Sequence, residues 1–297
     1  MTDSASPSLT DQQATVRGVA WMTGALFSFL AMAIAGREIS FELDTFQLMF
    51  FRSLLAVVIV VSIGLVTRDG LRQFATHRLP MHVARNLCHF VGQYGWFFAV
   101  ASIPLAQVFA IEFTIPLWVA LFAPLVLTER LTPVRIATAL AGFLGVLIVV
   151  RPGVVEISEG TVAALVAALG FTWAIMLTKR LATTERALTI LFYMAIIQLP
   201  LGLLPSLGNL VMPSLETWGW LVAVTCCGLS AHYCMARALA LADATLILPI
   251  DFLRLPLIAV IAMLLYGEVL DPWVFLGGAI ILVANFWNLR AERKRGS

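Results

Sequence analysis

Two acids stand at matching places in an otherwise apolar sequence: Glu112 in Val-Phe-Ala-Ile-Glu-Phe and Asp251 in Ile-Leu-Pro-Ile-Asp-Phe. An ionisable group in hydrocarbon costs at least about 2.5–3.5 kcal/mol on insertion scales, so each needs a partner or a cavity. Arg254 follows Asp251 by three residues, a spacing that puts both on one helix face and lets them pair. Glu112 and Asp251 are candidates to line a cavity, binding a substrate amine or exchanging a proton. Arg254 would engage a substrate carboxylate or hold Asp251 ionised. The plainer reading is a buried ion network with a structural duty alone. Arg52 lies about seven residues into its own apolar run, too deep to reach the interface, and is expected to pair with Glu112.

His89, Gln93 and Trp96 follow i, i+4, i+7 spacing and share one helix face, with Tyr94 beside them. A polar face inside an apolar helix points at a cavity or at another helix. His232 and Tyr233 recur where Gln93 and Tyr94 stand in the earlier segment. A histidine of ordinary pKa near 6.5 can move protons; the competing reading makes both histidines neutral helix glue. Trp173, beside Thr172, is the tryptophan best placed to stack on a flat or cationic substrate. No His or Cys spacing suits a metal, and Cys88, Cys226, Cys227 and Cys234 read as small packing residues. The sequence has no P-loop, G-x-G-x-x-G, H-E-x-x-H or G-x-S-x-G, so no cofactor is expected, and it has no basic face for nucleic acid.

The matching positions belong to a repeat. Gly92–Pro133 aligns without gaps on Ala231–Pro272, with 11 of 42 positions identical. Tyr94 meets Tyr233, Phe113 meets Phe252, Glu129 meets Glu268 and Pro133 meets Pro272, with Glu112 opposite Asp251. Pro116 falls on Leu255, with Pro256 one residue later, which suggests a local register shift. Glu129 and Glu268 read as caps before a proline-led helix.

These residues must be carried by helices in lipid. Of 297 residues, 61% are hydrophobic and 12% charged, about half the charge of a soluble domain. Ten segments approach the roughly 20 residues that cross hydrocarbon: 17–36, 45–67, 80–101, 105–127, 133–150, 160–178, 187–206, 217–240, 244–266 and 273–290. With the N-terminus inside, 14 of the 19 Lys and Arg, Arg85 among them, fall on the cytoplasmic side and two, Arg37 and Arg151, outside. That bias puts both termini in the cytoplasm. Five spans per half is an odd number, so the second half enters inverted. The polar segment 1–16 has no charged n-region and no cleavage site, and is expected to be a disordered cytoplasmic tail rather than a signal peptide. Residues 291–297 form a basic tail.

The chain resembles the ten-helix, EamA-type members of the drug/metabolite transporter superfamily. The resemblance rests on the Phe51-Arg52 pair, on the Leu127-Thr-Glu-Arg-Leu-Thr-Pro133 turn echoed by Tyr266-Gly-Glu-Val-Leu-Asp-Pro272, and on the end of the fifth helix at Val-Val-Arg151-Pro-Gly153. It implies an all-α integral membrane protein with inverted five-helix repeats at 17–151 and 152–290. It also implies a central cavity and a small amphipathic metabolite. The expectation is an inner-membrane secondary transporter, monomeric or homodimeric, exporting a zwitterionic, amino-acid-like solute by alternating access, with proton coupling or exchange. The alternatives are uptake of a nucleoside-derived or vitamin-like solute and, from another class, an intramembrane enzyme acting on a lipid-soluble substrate.

Overall fold

A computed structural model describes residues 9–126, 132–154, 156–241 and 250–296. The connection at Ala242-Asp243, the turn at 127–131 and Glu129 lie outside them. Those residues form α1 (Leu9–Ile39), α2 (Thr45–Val66), a 3-10 turn (Gly70–Phe74), α3 (Leu79–Ser102), α4 (Leu105–Glu112), α5 (Ile115–Val126), α6 (Pro133–Val150), α7 (Glu159–Leu181), α8 (Ala187–Ser206), α9 (Leu215–Leu241), α10 (Arg254–Tyr266) and α11 (Pro272–Gly296). Among the described residues there is no strand, and eight helices are long and apolar enough to cross a membrane, α4 and α5 together making one of them. At 24 residues α3 is equally long, but its buried face carries His82, Arg85, Asn86, His89 and Gln93.

Local chemistry sets the ends. Asp44 caps α2 by accepting the Gln47 N–H at 3.0 Å, and Ser158 caps α7 through Thr161 N–H at 3.2 Å, each satisfying a donor that the first turn leaves free. Pro80 and Pro133 occupy first turns, where a missing N–H costs nothing. Gly267 ends α10 in the left-handed region at φ 67°. Two expectations shift at the termini. α1 is already helical from Leu9, inside the segment expected to be a disordered tail, and α11 continues to Gly296 through the expected basic tail.

The helices pack as pairs. α1 packs most extensively on α9, α3 on α7, α2 on α8 and α6 on α11, with α10 against α4. Exchanging α1, α2, α3 and α6 for α7, α8, α9 and α11 maps this pattern onto itself. Small residues set the approach, as lipid-embedded interfaces require. A Cβ on Gly170 of α7 would fall 2.7 Å from the Gly92 nitrogen of α3, and one on Gly277 of α11 would fall 2.5 Å from the Gly145 oxygen of α6.

The expected fourth span is broken, and the break decides the site. Helix stops at Glu112, turns through Phe113-Thr114 and resumes at Ile115. In the second half it stops at Asp251, turns through Phe252-Leu253 and resumes at Arg254, the same positions in the ungapped repeat. No register shift is needed. Pro116 and Pro256 each lie in the first turn after a break, where each lacks the N–H that would bond across it.

The carbonyls freed by a break must find partners in hydrocarbon. At the first, Asn285 of α11 donates its amide to the Phe113 oxygen at 2.8 Å. At the second, Arg254 Nε donates to the Asp251 oxygen at 3.3 Å. Asn285→Leu is expected to lower stability by about 1–2 kcal/mol, the cost of orphaning a buried acceptor. Thermal unfolding in detergent measures it, and an unchanged midpoint would assign that carbonyl another partner.

Candidate functional site

The two breaks meet at the centre of the bundle. Phe113 and Phe252, equivalent in the repeat, touch edge to face with ring centroids 4.8 Å apart. Residues related by a two-fold touch only at its axis. The equivalent acids converge as well, on one cation: Arg254 Nη2 lies 2.6 Å from Asp251 Oδ2 and Nη1 lies 3.3 Å from Glu112 Oε1. Trp96 Nε1 donates to the other Glu112 oxygen at 2.7 Å. The Arg254 guanidinium also faces three rings, Phe29 at 4.5 Å, Phe113 at 5.1 Å and Phe109 at 5.5 Å, a placement that adds cation–π attraction. Arg254 and Asp251 pair across a helix break, not along one continuous face.

Beside this triad lies a cavity of about 390 Å³. Its lining comes from α1 (Phe29, Met32), α2 (Arg52), α3 (Arg85, His89, Gln93, Trp96, Phe97), the break helices (Glu112, Ile115, Arg254), α7 (Phe171, Thr178) and α9 (His232, Met235). Arg85, His89, Gln93 and Trp96 form one stripe of α3, spanning roughly 16 Å at 1.5 Å per residue. Gln198 of α8 donates its amide to His89 Nδ1 at 2.9 Å, which leaves the proton of a neutral imidazole on Nε2. His232 is exposed and meets Phe29 edge to face at 5.5 Å.

Several sequence expectations change here. Arg52 does not pair with Glu112, because Arg254 and Trp96 already occupy that carboxylate. Asp251 stands behind the cavity wall rather than in it, bonded to Arg254. Tyr94 packs on Phe46 and Phe98 at the side of the bundle, and Tyr233 is 59% exposed against Trp21. Trp173 stacks on Phe122 at 5.7 Å and does not line the cavity, although its α7 neighbours Ala174 and Thr178 do. Glu268 does not cap the proline-led helix that follows it, which Asp271 caps; it takes Arg37 at 3.1 Å and satisfies the free Leu105 N–H at the start of α4 at 2.8 Å. Arg85, counted among the cytoplasmic charges, is a cavity residue. Its signal was in the sequence, because it stands four residues before His89 and extends the same stripe.

Eight helices of membrane-crossing length and composition among the described residues, ranged around a central cavity, make this a multi-pass membrane protein. Residues 16–151 match the EamA-like transporter family. The chain is 28% identical to a riboflavin transporter of Brucella anthropi, over 80% of this chain and 85% of that protein. It is 24% identical to an S-adenosylmethionine uptake transporter of Rickettsia bellii, over 93% and 94%, and 26% identical to the pseudopaline exporter CntI of Pseudomonas aeruginosa, over 90% and 94%. A solved crystal structure shares the fold, with TM-score 0.62 and 18% identity over 96% of this chain and 99% of that one. The chain thus carries an EamA-like transporter domain, and its relatives are transporters of the drug/metabolite type, not enzymes.

Proposed function

We propose that this protein is a secondary transporter that carries a small metabolite through the central cavity by alternating access. It would work as two inverted five-helix repeats, 17–151 and 152–290, with ten spans and both termini in the cytoplasm of an inner membrane. One observation carries the reading. Equivalent residues of the two halves converge in and beside the cavity: Phe113 on Phe252 and Glu112 and Asp251 on Arg254 next to it, and Gln93 with His232 in the lining. Two related halves around a midplane site are the architecture that rocks between inward and outward states. The interrupted spans at Glu112 and Asp251 supply the discontinuous helices such sites use.

A zwitterionic, amino-acid-like solute would need a free carboxylate for its amine, and both carboxylates are held by Arg254. Its own carboxylate has better provision, in Arg52 and Arg85. Glu112 is the candidate for proton coupling, as the acid that lines the cavity. The vitamin-like alternative is supported by Phe29, Trp96, Phe97 and Phe171 in the lining, which suit a flat ring system. The relatives' named cargoes, riboflavin, S-adenosylmethionine and pseudopaline, define a first panel.

Counterflow in proteoliposomes tests the function. Saturable uptake of one panel class above protein-free vesicles is the expected result. If amino acids, flavins, S-adenosyl compounds and polycarboxylates all move no faster than in empty vesicles, the transporter reading fails for these classes.

A further inference from the structure

The cavity holds more cationic groups than the protein itself neutralises. Arg254 has two carboxylates. Among the described residues Arg52 has none: it is 5% exposed, its Nε has no hydrogen-bond partner, and the Phe97 ring lies 5.9 Å from the guanidinium carbon. Arg85, 7% exposed, is bonded to Thr178 Oγ1 at 3.0 Å and Asn86 Oδ1 at 2.6 Å, both neutral. Among the described residues no acid lies within 4.0 Å of either guanidinium, though both line the cavity. A guanidinium held in a membrane interior without a counter-charge is costly. Arg254, by contrast, has two acids beside it.

We infer that the cargo is a small organic anion whose carboxylate or phosphate oxygens are bound by Arg52 and Arg85. The inference rests on the transporter reading and adds its substrate class. A guanidinium presents five N–H donors in a planar fork that matches a carboxylate or a phosphate two oxygens at a time. Arg85 sits eleven residues from Trp96 along the α3 stripe, while Arg52 of α2 stands beside Phe97 near the Trp96 end, so the two guanidiniums offer anion contacts towards opposite ends of the cavity. The buried Gln93 side chain lines the cavity beside His89 and offers an amide to a cargo hydroxyl or amide.

The experiment measures thermal stability of the purified full-length protein against four matched panels: dicarboxylates led by succinate, phosphate monoesters led by phenyl phosphate, the neutral diamide succinamide, and the diamine putrescine. A ligand of the folded state raises the melting temperature by mass action. Wild type is compared with Arg52→Gln, Arg85→Gln, Arg52→Lys and the surface control Arg186→Gln. The expected result is stabilisation by one or both anionic panels and by neither of the others. Binding should weaken roughly tenfold or more in each glutamine variant, as for loss of a charged hydrogen bond. It should be partly retained in Arg52→Lys and unchanged in Arg186→Gln. Which anionic panel acts separates carboxylate from phosphate.

Without ligand, the two glutamine variants should melt no lower than wild type, because each removes an uncompensated charge. A clear drop in both would make these arginines structural and overturn the inference. So would stabilisation by succinamide or putrescine alone, or an anion effect that survives both glutamine changes, and each of those outcomes leaves the transporter reading standing. If no panel acts and counterflow finds no flux, the transporter reading falls and takes the inference with it.

Discussion

Arg254→Leu is expected to cost about 3–5 kcal/mol, the penalty for stripping the partner from buried charge, the largest single loss among the residues described. The change leaves Glu112 and Asp251 facing each other without a counter-ion at the meeting point of the two halves. It also removes the donor that satisfies the Asp251 carbonyl at the second break, and the cation shared by the Phe29, Phe109 and Phe113 rings. The sign of the compensation is informative. Adding Glu112→Gln and Asp251→Asn to Arg254→Leu should recover about half of the loss or more, because neutral amides need no counter-charge and groups in one network couple strongly. Thermal unfolding in detergent provides the comparison. Equal destabilisation by the single and triple variants would mean that packing of the guanidinium, not its charge, holds the centre together.

Glu268→Ala is expected to shift the conformational balance rather than unfold the protein. Glu268 joins three helices at one end of the bundle: it pairs with Arg37 at the end of α1, accepts the Leu105 N–H at the start of α4, and follows α10 in the chain. Arg37 also donates to the carbonyls of Val100 and Ile103 at the end of α3. Tyr266 lies under Arg37 at 5.4 Å and donates to Glu38 at 2.8 Å. All of these helices, or their partners across the break, wall the cavity. Removing an acceptor used by a cation and a backbone N–H costs roughly 1.5–3 kcal/mol, which changes a two-state population by about tenfold to a hundredfold. A cysteine at Gln93 in an otherwise cysteine-free background should then react correspondingly faster with a membrane-impermeant thiol reagent added from the Arg37 side. A lower melting temperature with unchanged labelling would make the cluster a plain staple.

Arg37 and Glu268 also show where reading along the chain stops. Glu268 sits before a proline-led helix and its local surroundings spell a cap. The fold gives that duty to Asp271, two residues before Trp273, and sends Glu268 across to α1 and α4. Arg52 tells the same story. Its depth matched that of Glu112, yet the carboxylate was taken by Arg254 from another helix. Tyr94 and Tyr233, the best-matched pair of the repeat, turned outward, while Gln93 and His232 beside them turned in. Adjacent helical residues point about 100° apart, so identity of type says nothing about which of them faces the axis.

What the sequence determined by itself is the solvent, the span-length helices and the repeat. Composition excludes water as the surroundings, run length matches hydrocarbon thickness, and the ungapped alignment placed Glu112 and Asp251 at equivalent sites, all properties of residues near one another in the chain. The tertiary structure decided the rest: that both equivalent spans break immediately after those acids, that one arginine serves both, and that Arg52 and Arg85 face the cavity with no acid of their own. Those outcomes depend on how far each helix is rotated and how closely it crosses its neighbour. Glycine contacts such as Gly92 with Gly170 and Gly145 with Gly277 set those approaches between segments far apart in sequence, and no local pattern encodes which side chains then meet.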